Sequence, residues 1–194
     1  MDADEIVRLI RECGALLDGH FLLSSGLHSG NYLQCARVFQ HAAFASRLCE
    51  ALAEKWRSAD CDVVVSPALG GVIFGYELSR HLGVRNMFAE RENGVMTMRR
   101  GFALEPGERA LVAEDVVTTG KSVREVIAVC EEAGAEIIGV TSLLDRSDGD
   151  VFPDKRFESL LRLDLPKFEP SECPLCAQRA PIVKPGSRTQ PIPA

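Results

Sequence analysis

Hydrophobic positions in the first sixty residues fall at helical spacing, whereas those that follow fall in short unbroken runs. Ile6, Leu9, Ile10, Cys13 and Leu16/Leu17, behind an acidic start, predict an amphipathic helix over residues 4–17. Residues 21–23 and 32–34 read as short strands around the loop Ser24-Ser-Gly-Leu-His-Ser-Gly30. Phe44, Leu48, Leu52 and Trp56 predict a second helix over 41–57. From Asp62 the rhythm changes. Asp62-Val-Val-Val65 has the character of a buried strand and passes through Pro67 and Gly70-Gly71 into a helix stopped at Gly83. Residues 84–90 and 109–114 are the next two strands. A helix from about Ser122 turns Val123, Val126, Ile127 and Cys130 inward and stops at Gly134, and residues 136–144 form a fourth strand. This alternation predicts an α/β fold with a mostly parallel twisted sheet and helices on both faces. Asn93-Gly94 is a strong two-residue turn signal, so 87–100 reads as a β-hairpin whose far arm carries Arg99 and Arg100.

The 194 residues suit a single domain, with an N-terminal segment (1–40), a core (61–146) and a tail (164–194) that holds seven of the ten prolines and reads as irregular. A net charge of −6 argues against a sequence-independent grip on nucleic acid or an anionic membrane. The start, Met1-Asp-Ala-Asp-Glu5, is acidic where a secretory signal is basic. The longest weakly polar run, 63–76, is broken by Ser66, Pro67 and three glycines, short of the ~18 apolar residues a membrane span needs. Seven mostly isolated cysteines point to reduced thiols in a cytoplasm. Cys173-Pro-Leu-Cys176 has the spacing of half a zinc site, but no second pair or histidine follows it in the tail. It reads as a packed turn, with zinc shared across a dimer as the alternative. The four histidines (20, 28, 41, 81) show no ligand spacing.

The segment that carries chemistry is Ala110-Leu-Val-Ala-Glu-Asp-Val-Val-Thr-Thr-Gly-Lys-Ser-Val123. A strand ends in two adjacent carboxylates, and a hydroxyl- and glycine-containing turn then opens a helix. Free N–H groups and the positive dipole end at such a turn receive a phosphate. Carboxylates repel phosphate, but they accept hydrogen bonds from ribose hydroxyls and favour a Mg²⁺ shared with the ligand. Together they indicate a phosphorylated sugar. A Walker A loop would need glycine where Asp115 stands, and Gly70-Gly71 does not supply a dinucleotide fingerprint. Ser122-Val-Arg-Glu125 also fits a capping box, which accounts for neither Glu114-Asp115 nor the paired threonines.

This segment resembles the phosphoribosyl diphosphate (PRPP) signature of type I phosphoribosyltransferases, and from about Phe21 onward the chain is similar to the orotate phosphoribosyltransferase family. The resemblance extends to Phe21-Leu-Leu-Ser-Ser-Gly-Leu-His-Ser…Tyr32, Ser66-Pro-Ala-Leu-Gly-Gly71, Phe88-Ala-Glu-Arg91 and Leu143-Leu-Asp-Arg146. It implies transfer of a phosphoribosyl group from PRPP to orotate with Mg²⁺ held mainly by PRPP and water, an N-terminal hood over the site, and a cytoplasmic homodimer. It places Glu114 and Asp115 on the ribose hydroxyls, with Asp115 also among the catalytic residues. The turn Val116, Val117, Thr118, Thr119, Gly120, Lys121 and Ser122 wraps the 5′-phosphate, and Thr118 and Arg146 meet orotate. A guanidinium fork suits a carboxylate; otherwise Arg146 would be a surface partner of Asp145 or Asp148. His28 lies in the orotate-side loop and is expected near substrate.

The family's mobile loop corresponds to 91–102. Related loops carry lysine and histidine, and this chain has neither between Glu90 and Glu114. Lysines common before the N-terminal Ser-Gly and in the pyrophosphate loop are Ser24 and Gly70 here. Arg91, Arg99 and Arg100 are therefore the expected catalytic cations, with Arg91 also on PRPP. If the arm is regular, Arg99 and Arg100 face opposite sides and only one works. The alternatives are a purine-base phosphoribosyltransferase and a PRPP-sensing transcription regulator. The regulator would need a basic DNA-binding module, which the residues before the first core strand lack.

Overall fold

Val63, Val64 and Val65 are all fully buried, and this explains the unbroken apolar run. Val64 packs in a core with Leu48, Leu52, Trp56, Phe74 and Leu78, while Val63 and Val65 pack on the opposite face with Val123, Val126, Ile127 and Cys130. A strand covered by helices on both faces has no solvent side to mark with polar residues.

The computed structural model describes residues 1–23 and 25–185; Ser24, inside the predicted loop, and 186–194, the end of the tail, lie outside the described residues. The elements are α1 (Ala3–Glu12), β1 (Leu16–Leu22), β2 (His28–Leu33), α2 (Ala36–Phe39), α3 (Ala42–Ala53), a 3-10 turn (Glu54–Trp56), β3 (Val63–Pro67), α4 (Gly70–Leu82), β4 (Arg85–Glu92), β5 (Val95–Met98), β6 (Arg109–Val117), α5 (Lys121–Glu132), β7 (Glu136–Asp145), β8 (Phe157–Arg162), β9 (Lys167–Phe168) and α6 (Pro174–Ala177). The main sheet runs β5-β4-β3-β6-β7-β8, parallel except for the β4–β5 hairpin. A small antiparallel sheet, β1-β2-β9, sits apart from it in pairing. No helix among the described residues is long and apolar enough to cross a membrane.

The predicted α/β architecture is the one observed, with local differences. The first helix stops at Glu12 because Gly14 takes φ +65°, a left-handed conformation that costs glycine little. Leu16 and Leu17 therefore begin β1 instead. β6 continues to Val117, so the two carboxylates lie within the strand rather than at its end. β8 has no counterpart in the sequence reading. It is a half-buried edge strand without clear alternation. The tail is also less irregular than expected: β9 pairs with β2, α6 follows, and Val183 bridges Phe21.

Sequential parallel strands leave β3 on its two sides, β4 on one and β6 on the other, so the order reverses between β3 and β6. Open α/β sheets bind ligands beyond the carboxyl ends of strands at such a reversal. Glu114, Asp115 and the Gly70-Gly71 start of α4 all lie there.

Candidate active site

The acid pair is built into β6 and roofed by glycine. A Cβ at Gly70 would stand 2.9 Å from Asp115 Oδ1, and one at Gly71 would stand 3.2 Å from Glu114 Oε1. Only glycine lets the first turn of α4 approach the carboxylates this closely. The Ala68–Leu69 peptide just before it is cis. The Asp115 side chain accepts from the Val116 N–H at 3.0 Å. Burial and the neighbouring Asp115 charge push Glu114 up to about 9, and burial raises Asp115 as well. No cation offsets either shift. At neutral pH burial and mutual repulsion therefore favour one proton held by the ligand-free pair.

Beyond Val117 the chain turns through Thr118 and Thr119 to Gly120, at φ +69°, and enters α5. A side chain at Gly120 would also strike the Phe152 ring at 2.9 Å. α5 has no side-chain cap. The capping box does not form, because Ser122 lies inside the first turn and Glu125 instead receives Arg91 Nη2 at 2.5 Å. First-turn N–H groups without a cap, together with the helix dipole, suit an anion. They border a recess of about 70 Å³ lined by Glu114 and residues 116–123. Arg124 holds the turn in shape, donating to the Thr119 carbonyl at 2.7 Å.

Val117 pairs with Asp145 across β6 and β7, so Thr118 and Arg146 leave adjacent strands side by side. The Arg146 N–H donates to the Val117 carbonyl at 2.8 Å. Thr118, Thr119 and Arg146 open on a cleft of about 740 Å³ whose other wall is Leu22, Leu23, Ser25, Leu27 and Tyr32 of the N-terminal segment. Asp145 pairs with Arg162 at 3.7 Å, and Asp148 with Lys167 at 3.0 Å. Arg146 is thus not the surface partner of either acid. Its Nε is buried without a hydrogen-bond partner among the described residues, and burial lowers its pKa. Such a guanidinium calls for an anionic ligand.

The structure corrects two expectations about the other candidates. β5 ends at Met98 and Arg100 takes φ +59°, so the strand alternation does not reach Arg99 and Arg100. Both pair with Glu90, Arg99 at 3.7 Å and Arg100 at 3.0 Å, and Arg99 also meets Glu92 at 3.2 Å. Arg91 is tied to α5 through Glu125. None of the three arginines lines the cleft. His28 does not face it either; it turns toward His20 and the tail cysteines. Lys167 and Lys184 do line the cleft and were missed. They stand in the tail that read as irregular, and their only signal was that two of the chain's few lysines lie there.

The sequence model of the phosphoribosyl transferase domain matches residues 34–169. Among curated relatives, the orotate phosphoribosyltransferase of Pelotomaculum thermopropionicum is 52% identical over 188 residues, 97% of this chain and 99% of that one. The orotate phosphoribosyltransferase of Thermotoga petrophila is 53% identical over 183 residues, 94% of this chain and 98% of that one. The crystal structure of orotate phosphoribosyltransferase from Aeropyrum pernix superposes with a TM-score of 0.67 at 25% identity, covering 81% of this chain and 93% of that one. The acid pair and the uncapped turn suit a phosphorylated sugar and Arg146 an anionic ligand, and a family match across most of the chain with near-full-length relatives at about half identity shows that the chain belongs to the phosphoribosyl transferase family, among the orotate phosphoribosyltransferases.

Proposed function

We propose that this chain transfers the 5-phosphoribosyl group of PRPP to orotate, giving orotidine 5′-phosphate and pyrophosphate in pyrimidine nucleotide biosynthesis. The observation that carries the choice of base is Arg146. Its half-buried guanidinium, whose Nε has no hydrogen-bond partner among the described residues, opens beside Thr118 into the cleft next to the phosphate turn. Orotate has a carboxylate to offer it, and a purine base does not.

In this reading, Val116–Ser122 holds the 5′-phosphate through first-turn N–H groups, and the Thr118 and Thr119 hydroxyls add to them. Glu114 and Asp115 accept hydrogen bonds from the two ribose hydroxyls, which fixes the sugar with C1′ toward the base. Thr118 and Arg146 orient orotate. The bond from the base nitrogen to C1′ forms as the bond from C1′ to pyrophosphate breaks, through an oxocarbenium-like state. No covalent nucleophile is needed, so catalysis is orientation and charge stabilisation. Two buried carboxylates without a cation fit a magnesium-bearing substrate, but are too few to cage the ion, so PRPP and water would hold most of its shell. Bound Mg²⁺ offsets the charge that develops on the leaving pyrophosphate.

The remaining charge falls to Arg91, Arg99 and Arg100. Their present partners, Glu90, Glu92 and Glu125, keep them off the cleft. The hairpin therefore has to release these pairs and close over a site, in its own subunit or in the second subunit of a homodimer. The arginine ends of these pairs are exposed while Glu90 and Glu125 are half-buried, so closure has to offset the loss of these pairs with contacts to the bound ligand. Free thiols suit a cytoplasmic setting. The test follows orotate spectrophotometrically. Orotate should disappear only with PRPP and Mg²⁺ both present; consumption without PRPP, or none with both, overturns the reading.

A further inference from the structure

Four side chains from distant parts of the chain meet outside the cleft. His20 lies on β1, and His28 opens β2 beside it. Cys173 caps α6, and Cys176 lies within it. His20 Nε2 is 3.0 Å from His28 Nδ1, 3.6 Å from Cys173 Sγ and 3.7 Å from Cys176 Sγ. Cys176 Sγ is 3.2 Å from His28 Nδ1, and all four donor atoms lie within 4.8 Å of one another.

These distances are those of ligands around one ion. Zinc–sulfur bonds of about 2.3 Å and zinc–nitrogen bonds of about 2.0 Å give a tetrahedron with edges of roughly 3.3–3.8 Å. These four contacts need to adjust by only a few tenths of an ångström. His20 Nε2 is close to both sulfurs, so the set encloses a single ion rather than a cluster in which histidines and cysteines bind different metals.

The surroundings of His20 point the same way. Its Nδ1 lies 2.9 Å from the Ala180 carbonyl, which can only accept. The ring proton is therefore on Nδ1, and the Nε2 lone pair faces the other three donors. Zinc-binding histidines are held by such a bond through the second ring nitrogen. His20, His28 and Cys173 are all buried, and two sulfurs with two imidazoles form a closed set that selects zinc. We propose that His20, His28, Cys173 and Cys176 form a structural zinc site that fastens the tail to the β1–β2 hairpin.

In this reading the packed turn at Cys173–Cys176 is also half of a metal site. The second pair of ligands lies far from the tail in sequence, His20 standing 153 residues before Cys173. One chain supplies all four ligands, so no dimer is required. The regular elements of the tail, the two-residue β9 and the four-residue α6, are too short to be stable alone. The same tail carries Lys167 and Lys184 to the cleft, so the metal would also steady one wall of the substrate site.

The full chain, purified under reducing conditions without added chelator, is tested by elemental analysis and by titration with zinc and cobalt salts. One zinc per chain is expected, or one cobalt per chain with the intense visible bands of tetrahedral geometry and a thiolate charge-transfer band in the near ultraviolet. H28Q and C176S should each weaken cobalt binding at least ~100-fold, more than loss of an outer-shell partner does. Stripping the metal should lower the melting temperature of the wild type and leave C176S unmoved. The wild-type cobalt spectrum is decisive even where a variant does not fold. Substoichiometric binding of both metals to the reduced chain, or a weak octahedral spectrum without the thiolate band, overturns the proposal.

Discussion

Replacing Glu114 with glutamine should stabilise the ligand-free protein while impairing it as an enzyme. Burial and Asp115 raise Glu114 to about 9, whereas the unfolded chain ionises it near the usual 4.5. The folded state thus binds a proton that the unfolded state gives up. Its stability is intact below the unfolded value and is lost as pH rises toward 9. At pH 7 the folded chain retains this proton roughly two and a half pH units above the unfolded pKa, at a cost of about 3 kcal/mol. That cost does not depend on the exact folded value, provided the value lies above 7. Glutamine is neutral at every pH, matches the shape of the protonated acid and can still donate to Asp115. For a chain of this size, the gain corresponds to roughly 6–12 °C in melting temperature. The assay is urea unfolding of both proteins between pH 5 and 8, without phosphate, Mg²⁺ or PRPP. The stability difference should grow by about 1.4 kcal/mol per pH unit. Taking the difference between the two proteins cancels the titrating groups outside the pair, so the slope reports the proton that Glu114 and Asp115 hold together. A constant difference across this range, or none at pH 8, would show that Glu114 is ionised in the folded chain and would refute the reasoning.

Asp115→Asn keeps size and fold but removes a charge from the pair that orients ribose. Steady-state kinetics should show at least ~2 kcal/mol lost in kcat/KM, about thirtyfold, and near-wild-type kinetics would refute that role. Arg146→Ala should raise the KM for orotate far more than that for PRPP, by roughly 2–4 kcal/mol, because two charge-assisted bonds are lost and water replaces part of them. Equal effects on both substrates would point to a structural role. Among Arg91→Ala, Arg99→Ala and Arg100→Ala, we expect Arg91→Ala to act mainly on PRPP binding, and at least one of the other two to lower kcat by ~2–4 kcal/mol. Wild-type kcat in all three would place the needed charge elsewhere.

What could be read from the sequence was local. The stretch from Ala110 to Val123 declares its strand, its acids and its turn within fourteen consecutive residues, and backbone geometry forces those parts together. Val63–Val65 and Gly83 were legible for the same reason: a doubly covered strand and a helix stop leave their mark on adjacent residues. What escaped depends on distant partners. β8 is half-buried at a sheet edge, so packing rather than pattern defines it. Leu16 and Leu17 extend a helical pattern that only the conformation of Gly14 ends. His20 and His28 carry no ligand spacing because their two cysteines arrive from the far end of the chain. Arg99 and Arg100 stand one and two residues beyond the last position of β5, and Arg100 leaves extended geometry, so strand alternation does not govern them.

In the function proposed here, Arg146 selects a carboxylate-bearing base for a phosphoribosyl transfer made at Glu114, Asp115 and the turn after β6. A base panel tests it most directly, with orotate, uracil, adenine, hypoxanthine and guanine each supplied with PRPP and Mg²⁺ while pyrophosphate release is followed. Rapid release is expected with orotate and little with the other four, uracil included, since uracil differs from orotate by the carboxylate alone. Release from a purine at a comparable rate with orotate inert, or equal rates with uracil and orotate, would contradict it.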